Sequence, residues 1–185
     1  MRKFALFAAL IIANFLNLHA DEIIVEDVLD WQNAGQYNRI CSQGVRDLFI
    51  RNQDSGLANL YASACLKVDK INELAIPIVM LYKTKQEREN ALIYATILYQ
   101  KKMLYYAIVD QQDISDVRSP RVDYVLSYIF DKFVRKDFTL EDEKHKFDLA
   151  TGVVAKVYAK NEENIDKMVV EIFKDNKLVS TKTYW

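Results

Sequence analysis

Two cysteines, Cys41 and Cys65, constrain this chain more than any other feature. Each lies twelve residues from Gln53, in the middle of the polar stretch Arg51-Asn52-Gln53-Asp54-Ser55-Gly56. Before that stretch, Tyr37, Ile40, Cys41, Val45, Leu48 and Phe49 recur at three- and four-residue spacing, with Gly44 on the same face. After it, Leu57, Leu60, Tyr61, Ala64, Cys65 and Val68 repeat the pattern. That is the period of an amphipathic helix, and the residues between favour a turn. The reading is two helices joined at 52–56, with Asp54 or Ser55 capping the second. In an antiparallel helical hairpin, residues equidistant from the turn lie side by side, so a Cys41–Cys65 disulfide suits the spacing. Closing such a loop is worth about 3–4 kcal/mol in the chain-entropy model. Two buried free thiols are the alternative.

A disulfide needs an oxidising compartment, and residues 1–20 supply a reason to expect one. Arg2 and Lys3 precede an apolar run from Phe4 to Leu18, and Leu18-His19-Ala20 is an acceptable cleavage site before Asp21. The pattern is that of a cleaved signal peptide; the run is short for a membrane span, and an uncleaved N-terminal anchor is the alternative. No cysteine opens the mature chain, which disfavours a lipoprotein, and the absence of an Asn-x-Ser/Thr sequon favours a bacterial source. The expected location is the periplasm, or secretion. Without Arg2 and Lys3, 23 basic residues face 26 acidic ones, which argues against a nucleic-acid partner. With four glycines and two prolines in 185 residues, and eleven tyrosines and nine phenylalanines, long regular elements around one packed core are expected rather than disorder.

Downstream, Ile71, Leu74, Ala75, Ile78, Val79 and Tyr82 suggest a third helix, either interrupted or kinked by Pro77. Thr84 with Glu87 three residues on is a capping-box signature, opening a fourth helix to about Asp110 with a buried segment over 91–99. Residues 111–119 read as a polar linker, and Ser119-Pro120 as the start of a fifth helix ending near 135–137. One internal echo stands out: Ala58-Asn59-Leu60-Tyr61-Ala62-Ser63 and Ala91-Leu92-Ile93-Tyr94-Ala95-Thr96 are 33 residues apart. That spacing resembles the tetratricopeptide and Sel1-type αα-repeat proteins over 37–110, and the resemblance implies a stacked helical array.

After Asp137 the periodicity changes. Phe147, Leu149, Thr151, Val153, Ala155 and Val157 alternate with their neighbours, a period of two, although Phe147, Ala150, Val154 and Val157 also fit a helix. The valines and Gly152 favour strand. Residues 168–173 and 178–185 read as strands around Asp175-Asn176-Lys177, with a turn at 161–166. The expected architecture is therefore α+β: a mainly antiparallel helical array of about five helices over 21–137, with a small antiparallel β-rich subdomain over 138–185 that either packs against the helices or stands by itself.

Chemistry is sparse. The single histidine beyond residue 20, His145, sits among charges and reads as exposed; no Gly-x-Ser-x-Gly elbow, Cys-x-x-Cys motif or zinc ligand set occurs. Asp110, Asp113 and Asp116 lack the spacing of a calcium loop. Lys101-Lys102 and Lys132, Arg135 and Lys136 read as solvated basic clusters. No catalytic residue, metal site or cofactor is expected. The tyrosines form the strongest candidate surface: Tyr94, Tyr99 and Tyr106 on the fourth helix, and Tyr124 and Tyr128 on the fifth, either as core packing or as an aromatic recognition groove. Trp185 ends an alternating strand and either covers its own core or marks an edge that pairs with another chain. The function expected is non-catalytic: an exported, periplasmic scaffold or assembly factor binding an envelope protein. The rivals are an envelope enzyme acting on glycan or peptide and a carrier of an apolar ligand.

Overall fold

The computed structural model describes residues 23–185; the signal-peptide reading of 1–20 lies outside them. The described residues form an α+β fold. The α-helices are α1 (Val25–Asn33), α2 (Tyr37–Ile40), α3 (Gln43–Asn52), α4 (Ser55–Lys67), α5 (Ala75–Met80), α6 (Lys85–Val109) and α7 (Val125–Val134), with a 3-10 turn at Ile71–Leu74. Five strands follow: β1 (Thr139–Glu141), β2 (Lys144–Ala150), β3 (Val153–Glu162), β4 (Ile165–Lys174) and β5 (Lys177–Tyr184). They form one antiparallel meander in the order β1-β2-β3-β4-β5.

The stapled hairpin is present. Cys41 and Cys65 are disulfide-bonded with Cα atoms 5.0 Å apart. The turn is built as the sequence suggests: Gln53 takes a left-handed conformation to close α3, and the Asp54 carboxylate accepts the Leu57 N–H at 2.9 Å to open α4. The first arm differs from expectation, because the helix breaks at Cys41 and Ser42 before resuming at Gln43. The period of the apolar residues continues through the break, so the pattern alone does not reveal it.

The capping box of α6 also forms. Thr84 Oγ1 accepts the Glu87 N–H, and Glu87 accepts the N–H groups of Lys83 and Thr84. Glu87 additionally receives the Ser55 hydroxyl at 2.8 Å, joining the starts of α4 and α6. The Ser119-Pro120 start signal fails: α7 begins at Val125 instead. Gln100 of α6 donates to Ser119 Oγ at 3.1 Å and to the Pro120 carbonyl at 2.8 Å, holding that segment as a strap, and Ile114 is buried beneath it. Tertiary hydrogen bonds have overridden a local preference.

Three of the hairpin turns are tight two-residue loops with both residues at positive φ: Asp142-Glu143, Glu163-Asn164 and Asp175-Asn176. Such loops match the right-handed twist of the strands and fix their register. The inner face of the sheet carries Phe147, Ala155, Val157, Met168 and Val170, all fully buried. These join Leu104, Ala107 and Ile108 of α6 and Leu126, Ile129 and Phe130 of α7 in one continuous core with the stapled hairpin. The helices and the sheet therefore share a single hydrophobic interior.

Candidate functional site

Cover of the inner sheet face stops before the sheet does. Opposed residues in antiparallel strands share a face, and one such row runs Leu140, His145, Val157, Val170, Lys182. Val157 and Val170 are fully buried, His145 is half-buried and Leu140 is 65% exposed. The uncovered end opens into a groove of about 770 Å³ between the C-terminal ends of α6 and α7 and strands β1–β3. That size falls within the range of ligand and peptide pockets. Ala107, Ile108, Phe133, Phe138, Leu140 and Ala159 supply its apolar surface.

An aromatic cluster forms one wall. Phe133 stacks on Phe138 with centroids 5.3 Å apart, and the His145 ring meets Phe138 edge-on at 4.9 Å. His145 is thus not the exposed surface residue its charged neighbours suggest. Alternation along β2 turns it inward while Lys144 and Lys146 turn outward. Its Nδ1 is buried without a hydrogen-bond partner among the described residues. Burial lowers its pKa from the ordinary histidine value, against a smaller opposing effect of the Val157 backbone, so the ring is neutral at pH 7.

The rim is charged. Lys136 pairs with Asp113 at 3.3 Å, and Lys144 pairs with Glu171 at 3.3 Å while lying over the Tyr158 ring. Asp142 and Glu143, in the β1–β2 turn, have no ion-pair or hydrogen-bond partner among the described residues. Asp113 accepts the Ser115 N–H, which with Lys136 holds its carboxyl below the usual carboxylate range. A general acid requires the opposite shift.

The backbone is the groove's most specific feature. Pairing of β2 with β3 ends at His145↔Val157, whereas β3 pairs with β4 out to Glu162↔Ile165. The last residues of β3, from Ala159 to Glu162, therefore lack a neighbour on the β2 side. In a two-residue hairpin the closing pair is hydrogen-bonded and pairs alternate from there. Counting back from Glu162, Lys160 bonds to β4, and Ala159 and Asn161 direct their N–H and C=O groups into the open corner. Unpaired strand edges of this kind recruit other chains.

The tyrosines do not converge on this groove. Tyr94 is buried and donates to Asn59 Oδ1 at 3.0 Å. Tyr99 and Tyr106, 44% and 47% exposed, lie on the outer face of α6. Tyr128 is on the surface of α7, with Arg121 over its ring and its hydroxyl on Asp123. Tyr124 belongs to a second cluster: it and Tyr184 both donate to the Asp69 carboxylate, which also pairs with Lys182 at 3.2 Å. Burial first, and the Asp69 charge next, raise the pKa of Tyr184 well above the ordinary phenol value; burial and the Asp69 hydrogen bond do the same for Tyr124. This cluster clamps the end of β5 to the end of α4. Beside it, Lys101 is 1% exposed and donates to Asn72 Oδ1 and to the Trp185 main-chain oxygen, while the Trp185 ring is 56% exposed near Lys167.

Sequence reasoning missed Phe138, Leu140, Asp142, Glu143 and Ala159. The run from Glu141 to Lys146 is almost wholly charged, which hides a strand whose other face is apolar; only the alternation through His145 and Phe147 could have signalled it. Among the described residues no helix is long and apolar enough to cross a membrane, and no group of three or more His, Cys, Asp or Glu is placed to hold a metal ion. Comparison of the chain with protein-family models, curated proteins and solved structures finds no match.

Proposed function

We propose that this is an exported, non-catalytic protein-interaction module of a bacterial envelope, a scaffold or assembly factor acting in the periplasm. The observation that carries the reading is the open corner of the sheet, where an apolar groove meets unpaired backbone groups of β3. A groove open along a strand edge suits a polypeptide, which supplies both backbone and side chains. A carrier of an apolar ligand would enclose its cargo, and this groove has a charged rim and stands open. The disulfide and the basic-then-apolar sequence of residues 1–20 support export.

The test is site-specific photo-crosslinking in the native envelope. A photoreactive side chain at Leu140 is expected to capture one defined partner. The same group at Glu89 is the control, because it lies nineteen residues before Ile108 on α6, about 28 Å along the helix axis. Equal labelling of the same proteins from both positions, or none from Leu140, would remove the support for the reading.

A further inference from the structure

The geometry points to a specific occupant for the groove: a short extended segment of another polypeptide, lying antiparallel to β3 in line with β2, with a basic residue at its C-terminal end. This rests on the partner-binding reading above and names the chemistry of what is bound.

Three observations fix the occupant. The free edge of β3 spans Ala159 to Glu162. Ala159 and Asn161 offer two N–H donors and two C=O acceptors there, at the spacing that a second backbone in the extended conformation matches in one ladder. The face is set by period two. Ala159 lies in a row with the buried Met168 and Tyr184, on the inner side, yet is itself exposed. A residue opposed to it would therefore project over Ala107 and Ile108 and must be apolar. The charge is set by the turn. A strand running antiparallel to β3 heads for the β1–β2 loop, where Asp142 and Glu143 are unneutralised among the described residues. The residue opposed to Ala159 is the last the edge can pair, so the one following it must leave the edge beside those two carboxylates, where lysine or arginine complements them. Lys144 already occupies the next position along the edge, limiting the paired segment to about four residues.

A second copy of the chain would meet the same edge but brings the wrong partner chemistry. The long exposed edge belongs to β5, which carries Lys177 at its start and no apolar-then-basic order facing outward in the required sense.

The probe is the peptide acetyl-Thr-Phe-Thr-Ile-Lys-amide. In the antiparallel register its isoleucine opposes Ala159, its phenylalanine opposes Asn161, and its lysine reaches the turn. Affinity is measured by titration against the full-length oxidised protein. Methylating the phenylalanine and isoleucine amides is expected to weaken binding by about tenfold or more, the effect of losing one to two backbone hydrogen bonds. Replacing the lysine with glutamate should weaken it about as much in low salt, and the double substitution Asp142→Asn, Glu143→Gln should abolish that difference between the two peptides. Ala159→Pro removes a donor that faces the groove and no bond to β4, so it should lower affinity while leaving the thermal midpoint within a few degrees. If that variant fails to fold, the methylated peptide carries the same test on the unaltered protein. Equal affinity for the methylated and unmethylated peptides overturns the inference, as does saturation of the edge by self-association at the concentrations used. Partner capture from Leu140 in the envelope would still stand in either case, because it does not depend on strand pairing.

Discussion

Gly152 is a residue with no room for a methyl group. Its φ is +70°, where L residues are strained, and a Cβ there would meet Asp175 Oδ1 at 2.6 Å. Its carbonyl accepts the Asp175 N–H at 2.8 Å, so the β2–β3 and β4–β5 turns are joined at this point. Gly35 has a similar φ of +66° but nothing within 4 Å of the added carbon. Gly35→Ala is expected to cost about 1 kcal/mol, from backbone strain alone, and Gly152→Ala somewhat more, because the Asp175 carboxylate must also swing aside. Urea unfolding of the two variants checks the order. Lys101 gives a pH signature. Burial, with a smaller effect of Lys102, lowers its pKa from 10.5 to about 8. Between those values the unfolded chain holds a proton that the folded chain has released, so stability rises with pH from about 8. Above pH 10 the raised pKa values of Tyr61, Tyr124 and Tyr184 act the other way, since the unfolded phenols ionise first. Stability should therefore climb by roughly 1–2 kcal/mol from pH 8 to 10 and then fall. Lys101→Met should remove the climb and keep the fall. Neither Lys101 nor His145 is legible as buried from sequence. Each sits beside a residue of like polarity that does face solvent, and only the turn of the helix or the alternation of the strand separates them.

At the scale of elements, sequence reading succeeded where a signal is closed within a few residues. Thr84 and Glu87 define one end of α6, Asp54 opens α4, and Asp175-Asn176 closes a hairpin, all by hydrogen bonds or dihedrals that span no more than four positions. Thr84→Ala is expected to lower stability by about 1 kcal/mol in thermal unfolding. The signal at Ser119-Pro120 fails for the opposite reason. What holds that segment is Gln100, nineteen residues away, and nothing local announces it. The disulfide was legible because helical hairpins convert sequence symmetry into proximity. Cys41→Ala with Cys65→Ala should cost about 2–4 kcal/mol. The loss should appear as looser α3 and α4 rather than as a change at the groove, which neither helix lines. Loss of peptide binding in that variant at a temperature where its circular dichroism is unchanged would contradict this separation.

For the whole molecule, the change of periodicity near residue 138 leaves two readings, a β-rich piece packed on the helical array or one standing apart. The core ignores that boundary: Leu104, Ala107, Leu126 and Ile129 of the helices are buried together with Phe147, Val157, Met168 and Val170 of the sheet. Unfolding should therefore be a single transition by both far-ultraviolet circular dichroism and tryptophan fluorescence, Trp31 and Trp185 lying on the helical and sheet sides. Two separated transitions would restore the two-part description. The groove was not legible for the same reason the shared core was not. It exists because β2 stops short of β3 and because α6 and α7 end before β1, and both are relations between elements distant in sequence. Apolar periodicity reports which face of an element is buried, but it does not report where its cover ends.

Amide hydrogen exchange along the end of β3 in the isolated protein tests the central claim most directly. The account predicts alternation: the Lys160 and Glu162 amides, bonded to β4, exchange slowly, whereas the Ala159 and Asn161 amides exchange at close to unprotected rates and slow only when the extended peptide is added. Uniform protection from Ala159 to Glu162 in the protein alone would contradict it, because the corner would then already be filled.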